Sequence, residues 1–251
     1  MRPAHLLLLP LALSLVAARA RPGRAPIVDA PRWIDEGPQA QLALLELFME
    51  SGDLERSLEL IRVMRDQDRE PGLLDLYQGI VMRDAGMTEE ATELLDRASR
   101  SLPRDSRVPE ARCVLYANES RVADALIECE RATRMDKNSA SSWNNYGWLL
   151  LGAGREPEAL LAIQEAVRIN GAEARYRTNL GLAQASVGKE ELALRTLRTV
   201  GSEADAQYNI GTARERIDDI EGATDWYERA ARSDPYHKAS HEALARLTET
   251  P

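Results

Sequence analysis

The sequence predicts an all-α fold built from paired helices. Between Trp143 and Leu150, apolar and small residues recur at spacings of three and four, which is typical of one face of a helix. The segment 152–154 interrupts this pattern with a turn, and the spacing resumes from Ala159 to Ala166. The abundance of Leu, Ala, Glu and Arg also favours helix. A single helical hairpin cannot bury its apolar faces alone, so we expect neighbouring copies.

Copies of this hairpin pattern recur at a period of about 34 residues. The pairs that correspond to Gly147 and Ala159 are Gly79 and Ala91, Cys113 and Ala125, Gly181 and Ala193, and Gly211 and Ala223. The predicted hairpin units are 38–71, 72–105, 106–139, 140–173, 174–203 and 204–237, followed by a capping helix in 238–250. The fifth unit is shorter than the others, and we expect its second helix to end early, near Gly201.

A period of this length, with Trp143, Gly147, Ala159 and Ala166 at their positions, resembles the tetratricopeptide repeat family over residues 38–250. The resemblance implies a right-handed superhelical solenoid of about six hairpins. It also implies that first helices line a concave groove and second helices form the convex back.

Two stretches, Asn179–Ala183 and Gly201–Gly211, resemble more narrowly the repeat proteins of bacterial pilus assembly, of the tight-adherence (Flp) and type IV kinds. That resemblance implies a scaffold at the periplasmic face of the outer membrane. Its partner would be a protein or peptide, for example a secretin or another pilus-assembly component. Two alternatives stay open, namely a general periplasmic adaptor in envelope or cell-wall assembly, and a regulatory subunit or enzyme with an unrecognised site.

The first residues predict export. A basic Arg2, an apolar core from Leu6 to Val16 and the small residues around Ala20 form a signal peptide in residues 1–20. The core has about a dozen apolar residues, which is short of the roughly 20 that an uncleaved membrane anchor needs. Residues 21–37 contain several prolines and predict a linker. We expect the periplasm of a Gram-negative bacterium, and no membrane span in the mature chain.

Charge and motifs argue against other classes of function. The net charge of −9 disfavours a nucleic-acid partner, which usually requires a basic surface. The sequence has no phosphate-binding glycine loop, nucleophile elbow or metal-ligand cluster, so we predict no enzyme activity, cofactor or metal. His237 and His241 have a spacing that would suit a metal, but without a third ligand we interpret them as surface histidines.

Groove-facing positions of the first helices carry an apolar stripe that would suit an amphipathic helix or an apolar peptide. The alternative is that these residues pack between successive first helices. Trp148 and Leu151 are expected to be exposed. Amides at Asn145, Asn179 and Asn209 either grip a peptide backbone or serve structure. The predicted partner-binding residues are Leu76, Ile80, Val114, Asn144, Asn145, Trp148, Leu151, Asn179, Leu182, Tyr208 and Asn209.

The two cysteines lie on facing helices of the third unit. The hairpin should place Cys113 of the first helix across from Cys129 of the second. Export to an oxidising compartment permits a disulfide, which would close a loop of about 16 residues and add about 3 kcal/mol of stability. The alternative is a pair of buried thiols.

Overall fold

The computed structural model describes residues 37–67 and 70–248, which form thirteen α helices and no strand. The predicted all-α class is therefore confirmed. The predicted signal peptide and nearly all of the predicted linker lie outside the described residues. The chain divides into two compact units, with the boundary between Met135 and Asp136, and each unit is described by itself. None of the thirteen helices has the length and apolar character needed to cross a lipid bilayer.

The first unit contains three helical hairpins. Its helices are α1 (Pro38–Glu50), α2 (Leu54–Asp66), α3 (Pro71–Asp84), α4 (Thr88–Ser101), α5 (Arg107–Asn118) and α6 (Val122–Met135). Leu45, Leu60 and Leu74 belong to a core shared by α1, α2 and α3. A second core, which includes Leu76 and Leu115, connects α3 and α4 to α5. Each hairpin thus buries its apolar faces against the next hairpin.

The second unit contains three more hairpins and a final single helix. Its helices are α7 (Ala140–Gly152), α8 (Glu156–Ile169), α9 (Ala174–Ser186), α10 (Glu190–Leu197), α11 (Glu203–Arg216), α12 (Ile220–Ser233) and α13 (Lys238–Thr248). The last helix packs on α12 and buries Ser240 and Ala243. A helical array needs such a terminal element to cover its last apolar face.

Every hairpin turns through one residue in the left-handed backbone region. Four of these residues are glycines, Gly52, Gly86, Gly154 and Gly188, with φ between 70° and 78°. In the third and sixth hairpins Ser120 and Asp218 hold the same position, with φ of 60° and 65°. A side chain makes this conformation unfavourable, so glycine is the favoured residue there.

The two helices of a hairpin approach most closely at one recurring pair of positions. A Cβ added to Gly147 would lie 2.4 Å from Ile163 Cγ1, and one added to Gly181 would lie 2.4 Å from Leu197 Cγ. Gly79 faces Leu95 and Gly211 faces Tyr227 in the same way. In four hairpins, therefore, a first-helix glycine leaves room for a large residue of the second helix.

The third hairpin makes this contact covalently. Cys113 and Cys129 have the same separation of 16 positions as each glycine and its large partner, and they are joined by a disulfide. Their Cα atoms are 5.1 Å apart, which is within the range that disulfides span. The alternative of two buried thiols does not hold in this structure.

The second helix of the fifth hairpin ends early, as expected. Helix α10 has only eight residues and stops at Leu197, before the predicted end near Gly201. Ser202 and Asp205 form a capping box that fixes the start of α11 at Glu203. Because α11 begins there, the intervening residues must turn the chain and cannot extend α10.

We expect Gly147→Ala to destabilise the protein by about 1–3 kcal/mol, because the methyl group overlaps Ile163 Cγ1. In an uncrowded helix the same change would stabilise by roughly 0.5–1 kcal/mol. Denaturant unfolding of both single variants and of Gly147→Ala/Ile163→Ala measures the coupling. Since Ile163→Ala removes the overlapping atom, Gly147→Ala should cost much less in that background. An equal cost in both backgrounds would show that this contact is not the cause.

Reduction of the disulfide should lower the free energy of unfolding by about 3 kcal/mol, as expected for a loop of this length. The measurement is denaturant unfolding with and without dithiothreitol, followed by alkylation and mass spectrometry to count thiols. Cys113→Ala/Cys129→Ala is the matched control and should show no response to reductant. Equal unfolding midpoints of the wild-type protein in both conditions would contradict the prediction.

Candidate functional site

The first helices of the second unit define a concave face. The Arg216 guanidinium, at the end of α11, lies over the Trp148 ring of α7, with Cζ 4.7 Å from the ring centroid. Helix α9 lies between α7 and α11 in the order of hairpins, and it contacts both. Side chains of two helices that flank a third can meet only on the side toward which the stack curves. The Trp148–Arg216 contact therefore marks the concave side of residues 136–248.

The Trp148 ring packs partly on the apolar core of the second unit. It is half-buried and packs against an apolar cluster that includes Leu182, Ala185 and Ile210 of α9 and α11. Ala185 is fully buried in this cluster. Part of the indole ring is thus fixed by the core, while the remainder faces solvent beside Arg216.

Arg216 is a charged residue that has no charged partner among the described residues. Within residues 37–67 and 70–248 it makes no ion pair or hydrogen bond, whereas Arg214 on the same helix pairs with Glu190. Its residue surface is exposed, yet burial by surrounding protein atoms lowers the pKa of its guanidinium below the usual range. Both properties are expected of a side chain in a concave surface, where many protein atoms lie near but solvent still enters.

The asparagines divide into two groups. Asn179 of α9 donates a hydrogen bond from Nδ2 to Oδ1 of Asn144 on α7, at 2.8 Å. These two residues are 9% and 3% exposed, so they join neighbouring first helices instead of facing a partner. Asn145 and Asn209 are half-buried and retain accessible surface. Of the two alternatives for Asn179, peptide binding or a structural role, the structure therefore supports the structural role.

The expected exposure of Leu151 is wrong. Leu151 is 1% exposed, and the preceding Leu149 and Leu150 are buried as well. Successive helical residues point about 100° apart, so three buried neighbours mean that α7 is covered over more than half of its circumference. Trp148, one position before this run, lies at the edge of the covered side.

Other predicted apolar residues are also buried. Leu76 is 0% exposed and packs between α3, α4 and α5 with Ala91, Leu95 and Val108. Val114 and Leu182 are buried, while Ile80 packs on the same core as Leu76 and stays half-buried. Leu76, Val114, Leu151 and Leu182 therefore pack between helices, which was the alternative to partner binding.

Tyr208 faces the terminal helix. Its ring centroid is 5.3 Å from that of Tyr227 and 5.5 Å from that of His237, and it packs on the cluster that contains Ala243. Its half-buried surface therefore supports the packing of α13 on α11 and α12.

A carboxylate anchors α13 to α11. Glu215 accepts hydrogen bonds from both guanidinium Nη atoms of Arg246, with the Nη2 bond at 2.9 Å, and from the Tyr227 hydroxyl at 2.8 Å. The bonds from Arg246 lower the pKa of Glu215 below its ordinary value of 4.5, against the opposing effect of burial. The negative charge of Glu215 is therefore used within the protein.

The first unit has a polar contact that the sequence patterns missed. The Tyr77 hydroxyl donates to Glu46 Oε1 at 2.6 Å and accepts from Arg107 Nη1 at 3.0 Å, so that one tyrosine joins α1, α3 and α5. Burial and the bond to Glu46 raise the pKa of Tyr77 to about 12. The sequence signal that could have indicated this contact is the position of Glu46 one hairpin before Tyr77 and of Arg107 one hairpin after it.

The two histidines near α13 have partners within the chain. His237 Nε2 lies 3.3 Å from Asp205 Oδ1, and His241 Nε2 lies 3.0 Å from the Pro235 carbonyl oxygen. In the part of the chain that the structure describes, no group of three or more His, Cys, Asp or Glu side chains could hold a metal ion.

Residues 110–174 and 179–238 match the sequence profile of the family described as tetratricopeptide repeat. This part of the chain is thus built of tetratricopeptide repeats, and the hairpins of α1 to α4 have the same form. Proteins of this repeat class typically act as non-enzymatic scaffolds that bind a protein or peptide partner.

Solved structures share the fold. PilF of Pseudomonas aeruginosa superposes with a TM-score of 0.62 at 15% identity, covering 83% of this chain and 96% of its own. YrrB, described as a TPR protein with an unusual peptide-binding site, has a TM-score of 0.57 at 19% identity, covering 73% and 96%. MamA has a TM-score of 0.53 at 19% identity, covering 66% and 93%. At these identities the likeness concerns the fold. No curated protein matches the sequence.

The Glu215 anchor should make the stability of α13 depend on pH. Because the pKa of Glu215 is lower in the folded state, its contribution is present above its ordinary pKa of 4.5 and is lost as pH falls through the folded-state pKa. We expect Glu215→Gln to lower the thermal midpoint at pH 6 and to approach the wild-type midpoint at pH 3.

Glu242→Gln is the matched control, since Glu242 is an exposed acid of α13 that pairs with Lys238. Its midpoint should differ little from wild type throughout the pH series. A Glu215→Gln difference that stays constant from pH 6 to pH 3 would show that the lost stability does not come from the ionised carboxylate.

Proposed function

We propose that this chain is an exported scaffold that binds a protein or peptide segment on the concave face of residues 136–248. We further propose that it acts in assembly of a pilus or secretion complex in the cell envelope. The observation that carries the binding proposal is Trp148, a half-buried tryptophan fixed on a concave surface with part of its ring open to solvent.

A residue in this position is suited to bind a partner. Tryptophan and arginine are the side chains that most often dominate the energy of protein interfaces, and fixed aromatic rings lose little conformational entropy on binding. Trp148 and Arg216 meet each other on this face. The amide of Asn145, on the same helix as Trp148, retains accessible surface and can both donate to and accept from a peptide backbone.

Export and the envelope role have separate support. The signal sequence predicted in residues 1–20 directs export, and the Cys113–Cys129 disulfide suits an oxidising compartment. The resemblance of Asn179–Ala183 and Gly201–Gly211 to pilus-assembly repeat proteins supports a secretin or another pilus component as the partner. The fold shared with PilF is compatible with that choice.

Trp148→Asp should abolish binding of the natural partner, because it replaces the exposed part of the ring with a charge. The test is affinity purification of the tagged chain from the envelope of its native host, with quantitative mass spectrometry of secretin and pilus components. Leu161→Asp is the matched control, since Leu161 is 66% exposed on the second helix α8 and lies away from the first-helix face. Its partner recovery should equal that of the wild-type protein.

Circular dichroism of both variants establishes that the helices remain folded. Retained partner binding by folded Trp148→Asp would exclude the concave face as the site. Recovery of cell-wall assembly proteins without secretin or pilus components would replace the pilus proposal with the general periplasmic adaptor.

A further inference from the structure

Arg216 differs from Arg214 on the same helix and from Arg246 on the terminal helix. Arg214 binds Glu190, and Arg246 of the terminal helix binds Glu215. Arg216 has no such carboxylate among the described residues, although Arg214 and Glu215, one member of each pair, are close to it in the sequence. A guanidinium has five N–H donors, and none of those on Arg216 is used by the described protein.

The contact with Trp148 leaves these donors available. The indole ring lies against the guanidinium at 4.7 Å, where the positive charge meets the negative face of the ring. This contact involves the charge and the face of the ring and uses no hydrogen bond from the guanidinium. The N–H donors of arginine match the two oxygens of a carboxylate, which arginine binds with two parallel hydrogen bonds.

The surroundings favour binding of an anion at this point. Protein atoms partly remove water from the guanidinium, and a partly desolvated charge without a partner is unfavourable. The nearest acid in sequence, Glu215, is already bound by Arg246 and Tyr227. A carboxylate from outside the chain would restore to Arg216 the pairing that Arg214 and Arg246 have within it.

We infer that Arg216 and Trp148 form a subsite for the side chain of a Glu or Asp residue in a bound peptide segment. The carboxylate pairs with the guanidinium, and an adjacent apolar residue of the peptide covers the exposed part of the indole. This inference rests on the proposed binding function, and it specifies one acidic residue in the partner segment.

The probe is a phage-displayed library of random twelve-residue peptides, selected against the purified mature chain. Parallel selections use Arg216→Glu, Arg216→Gln and Trp148→Asp, each verified as folded by circular dichroism. Wild-type protein should enrich peptides with Glu or Asp at one fixed place beside an apolar residue. Arg216→Gln should remove that preference, and Arg216→Glu should reverse it toward Lys or Arg.

A selected peptide is then synthesised with its acidic residue as Glu or Gln, and each form is made with a free and an amidated C-terminus. The dissociation constant should rise roughly tenfold or more on the Glu-to-Gln change, as expected for a charge-assisted pair, and should respond little to amidation. A large response to amidation with none to Gln would overturn the side-chain assignment in favour of a terminal carboxylate.

The outcomes separate this inference from the proposed function. Peptides that depend on Trp148 but show no acidic preference, or keep it with Arg216→Glu, would overturn the subsite alone. Failure of every protein to enrich any peptide would count against both the subsite and peptide binding by this face.

Discussion

The close contact between paired helices is the constraint on which the rest of the structure depends. In four of the six hairpins that the structure describes, a first-helix glycine faces a large second-helix residue, as Gly147 faces Ile163. The missing side chain lets the two helix backbones approach closely, which fixes the separation and angle of each hairpin. Because each hairpin presents its remaining apolar faces at a set angle, the next hairpin can pack on it in the same way. The concave face with Trp148 is a result of this repetition.

The periodic positions explain how much the sequence could predict. Helices, turns and the placement of Cys113 across from Cys129 follow from spacings of three, four and about 34, which are local properties of the chain. Exposure is different, because it depends on how many neighbours surround a helix. Leu151 and Trp148 both occupy groove-facing positions, yet one is buried by neighbouring elements and the other stays partly open. The spacing of residues in the sequence does not show how many neighbours surround each helix.

The role of Arg216 is a second feature that the sequence could not predict. In the sequence Arg216 is one of several arginines near helix ends, where a positive charge is favoured by the helix dipole. What distinguishes it is that no carboxylate of the described residues pairs with it, while the Trp148 ring from two hairpins away contacts it. Neither property can be derived from a single repeat. The early end of α10 was predicted, but its exact position was not, since the capping box of the following helix limits where α10 stops.

The disulfide gives one hairpin a distinct mechanical property. If the two ends of the array were pulled apart, noncovalent hairpins would open and release their full length of chain. The bond from Cys113 to Cys129 bypasses the loop between them, so this segment bears no tension while the bond is intact. At roughly 3.3–3.6 Å per extended residue, the loop withholds on the order of 50 Å of extension. The third hairpin thus limits how far force can lengthen the chain.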